Sequence, residues 1–193
     1  MLRTESRTIV ILVISLYLFV LLTRQNLCKE NFFNIFQRQR EPKKQVSEML
    51  EEIKRRIDIL VKYSLENNYP DKPRAELMSK RWKKVKVSET LRGESDIAYL
   101  VNKDEELKVC LRDPQTDEAE ALNTAMFVVL HELGHLMSSK YGHGVEFWNN
   151  FKLLLKKAIE LEIYDYENYN KRSQKYCGID IYSHPCTDST CKN

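Results

Sequence analysis

The stretch Thr124–Trp148, TAMFVVLHELGHLMSSKYGHGVEFW, limits what this chain can fold into more than any other. Ala125–Leu130 runs apolar almost without interruption, which reads as a buried helix. Into that run are set His131, Glu132 and His135. On a helix of 3.6 residues per turn, positions i and i+4 share one face about one turn apart, so both imidazoles can reach one ion. Glu132 is angled toward the open side of such an ion, where it can take a proton from bound water. Two imidazoles and a carboxylate are costly to bury unpaired. A metal ion supplies the partners.

A catalytic zinc takes three protein ligands and leaves one position to water. The chain has four histidines, so the third ligand is His143, His184 or an acidic residue. His143 is the choice. It follows Tyr141-Gly142, where the glycine can end the helix and let the chain turn back. An amphipathic run then begins at Val145 with Phe147, Trp148, Phe151, Leu154, Leu155, Ala158 and Ile159. His184 remains the alternative ligand, or a loop or substrate-binding group. An ordinary helix that happens to hold two histidines is the competing reading, because a five-residue pattern recurs by chance. Gly134 costs about 1 kcal/mol against alanine inside a helix. Its expected use is close approach of another backbone, such as the third-ligand loop.

HELGH, seven residues, then HGxxFW resembles the WLM/SprT-like zinc metallopeptidases, and within them the small WLM-type proteins of large DNA viruses and some protists. The likeness extends to the run ending at Trp82 and followed by Ser88-Glu89, to KVCLRD around Cys110, and to Tyr176-Cys177-Gly178 with the later Pro185. It covers roughly 75–185. The third histidine lies nearer the motif in many relatives. The resemblance implies a zincin-like α+β fold, Zn2+ on His131, His135 and His143, and Glu132 as general acid/base. A tyrosine hydroxyl can stabilise the oxyanion in such enzymes. Tyr176 is the candidate, with packing as its other possible role.

At 193 residues and a formal charge of +3, the chain has room for one core and no overall charge demanding nucleic acid. Thr8–Thr23 is apolar apart from its ends and Ser15. As a helix it spans about 24 Å, short of the roughly 30 Å hydrocarbon core unless flanking arginines snorkel. With no small-x-small cleavage site behind it, it reads as an uncleaved single-pass anchor in a lipid bilayer, host or virion. Lys and Arg after the span outnumber those before it, which favours a cytoplasmic catalytic domain. The five cysteines decide no compartment: Cys110 reads as a small buried hydrophobe, and Cys186 and Cys191 could pair.

Between anchor and motif, Val46, Met49, Leu50, Ile53, Ile57, Leu60, Val61 and Leu65 recur at helical spacing over 43–67. A second helix is expected within 71–87, where Lys80, Arg81, Lys83, Lys84 and Lys86 surround Trp82. That run reads as a solvated face rather than a nucleic-acid patch. Residues 97–102 and 107–112 read as a β-hairpin, with an edge strand able to align an extended peptide.

The organisation expected is a tail (1–7), an anchor (8–23), a linker (24–42), a zincin-like domain (43–186) and a tail (187–193). The function expected is a membrane-anchored zinc peptidase acting on peptide or protein substrates. The alternative is a non-catalytic, membrane-anchored virion protein with a metal-stabilised fold.

Overall fold

A computed structural model describes residue 24 and residues 43–91, 94, 96–102 and 104–186. The chain divides into two units, 1–44 and 45–193, and the architecture below is that of the second. The stretch 8–23, read from sequence as a membrane anchor, lies outside the described residues, as do the 1–7 and 187–193 tails.

The second unit opens with α1, helical over 45–67. Ile53, Ile57 and Leu60 are fully buried along one face, while Glu52 pairs with Arg55 and Arg56 on the other. The helix ends at Asn68, in the left-handed region at φ 51°. Next, α2 (Lys72–Trp82) is capped by Asp71, whose carboxylate accepts from Arg74 N–H at 3.1 Å, with Pro73 in the first turn. This helix lies within the span expected for it and stops at Trp82. Lys86–Glu89 instead forms strand β1.

β2 (Ala98–Val101) and β3 (Glu106–Val109) form the expected hairpin. β1 pairs in parallel with β3, giving the order β1-β3-β2 and leaving β2 at an edge. α3 (Leu122–Met137) carries the metal motif and α4 (Val145–Glu160) the amphipathic run behind it. α3 is the centre of the core: Ala125, Met126, Val129, Leu130 and Leu136 are fully buried among α2, α4 and the sheet. A second hairpin, β4 (Gln174–Tyr176) and β5 (Ile179–Ile181), closes the described fold. It is mixed α+β, as expected.

Cys110 is not a free buried thiol. It forms a disulfide with Cys177, tying the end of β3 to the β4–β5 turn across a sequence separation of 67. Cys186 is disulfide-bonded too, and Cys191 lies outside the described residues.

The single-pass membrane localisation is corrected. Among the described residues no helix is long and apolar enough to cross a membrane. The physical reason is plain in each long helix: α1 and α4 carry a charged face, and the apolar run of α3 is broken by His131, Glu132 and His135.

Candidate metal centre

α3 puts His131 and His135 on one face, one turn apart, as the spacing requires. The chain leaves α3 at Ser138, turns at Gly142 (φ 80°) and brings His143 back over that face before α4 starts. The Nε2 atoms of His131 and His143 are 2.9 Å apart, and those of His135 and His143 are 3.2 Å apart. One ligand nitrogen from each ring lies within 4.8 Å of the other two, and no other such cluster occurs among the described residues.

These separations suit a shared cation. Zinc–nitrogen bonds of about 2.0–2.1 Å in a tetrahedral site set ligand nitrogens about 3.3 Å apart. Ring nitrogens this close either share a proton or hold a cation between them. Burial keeps the His131 and His135 rings neutral, the state that binds metal. It lowers His131 to about 3, helped by the neighbouring imidazoles, and His135 to about 4. At 4.0 Å from Glu132, the uncharged His131 makes no ion pair with it.

Glu132 is 7% exposed, and its burial raises the carboxyl to about 8. It lines the same cleft as the histidines, a cavity of about 390 Å³ walled by Ala98, Tyr99 and Leu100 of β2 and by Lys140–His143. Phe147 forms an apolar floor beneath all three rings: it stacks on His135 at 4.3 Å and meets His131 and His143 edgewise at 4.7 and 4.6 Å. Gly134 explains how Phe147 gets there. A Cβ at that position would come within 3.1 Å of the Phe147 ring and 3.4 Å of Phe151. The close approach is therefore by α4 aromatics, not by the backbone of the third-ligand loop.

Two candidates stand elsewhere. Tyr176 is fully buried and its hydroxyl donates to the Cys110 carbonyl, so it does not line the cleft. His184 stacks on Phe127 at 5.2 Å, its Nδ1 accepting from Cys186 N–H at 3.1 Å, and it is not in the three-histidine cluster. The centre of the basic run also turns inward. Trp82 donates to Asp58 at 2.6 Å, and Arg81 donates to the Leu136 and Ser138 carbonyls at 2.9 and 2.7 Å, capping α3.

Sequence reasoning missed the polar frame around this exit from α3. Arg74 donates to Asn150 Oδ1 at 2.8 Å, and Asn150 donates to Ser138 Oγ at 3.0 Å. Ser138 Oγ in turn donates to the Gly134 carbonyl at 2.7 Å. The one available signal was Asn150, a polar residue on the apolar stripe of α4 and fully buried in the structure.

Residues 72–190 match the WLM domain. The uncharacterized protein R325 of Acanthamoeba polyphaga mimivirus is 32% identical over 142 residues, 72% of each chain. Protein 136R of Invertebrate iridescent virus 6 is 33% identical over 70 residues, 35% of this chain and 39% of its own. Protein 042R of Invertebrate iridescent virus 3 is 38% identical over 72 residues, 37% of this chain and 45% of its own. No solved structure matches. The matched span holds the histidine cluster, the cleft and its edge strand, and with it the chain belongs to the WLM domain family, among relatives from large DNA viruses.

Proposed function

We propose that the chain is a zincin-like, zinc-dependent peptidase. The convergence of His131, His135 and His143 beside a buried Glu132 that lines the same cleft is the observation that carries this reading. The three histidines would hold the ion. When bound, zinc polarises a carbonyl and lowers the pKa of its water toward 7. Glu132 takes the proton from the attacking water and returns it to the leaving amine. For the first half Glu132 must be ionised, a state that a bound cation would favour over the metal-free protein, where burial raises the carboxyl to about 8.

The substrate proposed is an extended peptide lying along β2. Cys110 N–H donates to the Ile97 carbonyl at 2.7 Å, so residues 97, 99 and 101 are those that hydrogen-bond across to β3. The main-chain groups of Ala98 and Leu100 then face away from β3, on the edge that borders the cleft. Peptide is favoured over nucleic acid because Arg81 and Trp82, at the heart of the basic run, are spent inside the protein.

The test is cleavage of a peptide library by wild type and Glu132→Gln. The variant should keep its zinc and lose about 10²–10⁴-fold in kcat, the usual worth of general acid–base catalysis. Equal turnover by the two proteins would remove Glu132 from the chemistry. A wild type that binds zinc but cleaves nothing would favour a metal-stabilised scaffold.

A further inference from the structure

His143 differs from its two partners in how it is held. His131 and His135 ride on α3, where the helical ladder fixes their backbone. His143 sits in the connection between α3 and α4. Among the described residues, main-chain hydrogen bonding closes that connection only at its ends, from Ser138 N–H to the His135 carbonyl and from Trp148 N–H to the Gly144 carbonyl. Gly144, at the start of α4, supplies no side-chain cap. Side chains must therefore fix the third ligand.

One side chain spans the loop. Glu146, in the first turn of α4, accepts from Ser139 N–H at 2.7 Å, from Ser139 Oγ–H at 2.9 Å and from Lys140 N–H at 3.3 Å. Both carboxylate oxygens are used, and these bonds hold the carboxyl below its ordinary value. The contact pins the start of the loop to the start of α4 and makes residues 139–146 a closed ring with His143 inside it. Bonds to a carboxylate are stronger than neutral ones, and three on one group fix direction as well as distance.

The geometry points to Glu146 as the positioning residue for the third metal ligand: by tying Ser139 and Lys140 to α4, it holds His143 against His131 and His135 before any ion arrives. Glu146 touches neither ion nor substrate and acts only through His143. This inference rests on the proposed zinc site. Partners that orient a metal ligand are typically worth 10–100-fold in metal affinity.

Zinc affinity, measured on the full chain by competition with a chromophoric chelator, tests it. The proteins compared are wild type, Glu146→Ala, Glu146→Gln, His143→Ala and the double variant with Glu146→Ala and His143→Ala. Glu146→Ala should weaken zinc binding 10–100-fold, while the metal-free protein stays folded at the assay temperature with only a small fall in its thermal midpoint. Glu146→Gln, which keeps an acceptor for Ser139 N–H, should recover part of the loss. The double variant should bind no more weakly than His143→Ala alone, because Glu146 then has nothing left to position. Cobalt-loaded Glu146→Ala should show altered visible bands.

Unchanged affinity in Glu146→Ala overturns the inference. So does an equal fold loss in the His143→Ala background, or a drop in metal-free stability large enough to explain the loss. A wild type that takes up no zinc fails earlier, at the proposed function itself, and the inference falls with it.

Discussion

At the scale of single residues, Glu132 is held in the fold at a cost in stability. It is buried, and that burial raises its carboxyl to about 8. In metal-free protein the folded state therefore holds a proton that the unfolded chain releases near pH 4.5. Stability falls as pH rises from about 4.5 to about 8. Buried His131, His135 and His184 act oppositely: their pKa values, lowered to about 3, 4 and 4, make stability fall as pH drops below about 6.5. Substituting Glu132 with Gln separates the two. Metal-free Glu132→Gln should be more stable than metal-free wild type by on the order of 3 kcal/mol at pH 7, with the gain vanishing near pH 4.5. Urea midpoints at the two pH values decide this, and a gain that does not depend on pH contradicts it. The residues of the candidate centre were the most legible part of the chain, because metal geometry demands fixed residue types at fixed spacing. Tyr176 was not legible, since adjacency to a shared Tyr-Cys-Gly says nothing about where a hydroxyl points. Glu146 and Ser138 were not legible either, and Asn150 left only its place on the apolar stripe of α4 as a signal. Their roles depend on meeting partners across a loop or a helix interface, which spacing does not encode.

Among the elements, β2 is the one the proposed function uses directly. Its edge position predicts a selective effect of proline at residue 98. Ala98 N–H faces away from β3, so Ala98→Pro leaves the β2–β3 ladder intact and removes a donor from the free edge. Peptide cleavage should lose about tenfold in kcat/KM, about 1.4 kcal/mol, with little change in thermal midpoint. A large fall in midpoint with unchanged turnover would show that the edge does not serve substrate. The long elements were readable because their apolar residues repeat: Ile53, Ile57 and Leu60 mark α1, and Phe147, Phe151 and Leu154 mark α4. The short ones were not. β1, KVSE, is polar and only partly buried, and it exists through its parallel pairing with β3. β4, QKY, carries no alternation long enough to register and is fixed by its hairpin partner β5.

On the scale of the whole molecule, contacts distant in sequence join the parts. The Cys110–Cys177 bridge fastens the last hairpin to the sheet, and Arg81 of α2 closes the end of α3. Neither could be read from the chain alone: cysteine connectivity is not encoded in spacing, and Arg81 looked like one more cation in a basic run. The family match, residues 72–190, covers the region that holds the histidine cluster. Everything proposed about activity depends on one ion held by three rings. The most direct test is zinc content after equilibration with zinc and dialysis, for wild type and for a variant with His131→Ala, His135→Ala and His143→Ala. The account predicts one zinc ion per wild-type chain, none in the variant, and a higher thermal midpoint for zinc-loaded wild type. A wild type that emerges without zinc, or a variant that retains as much as wild type, would contradict it.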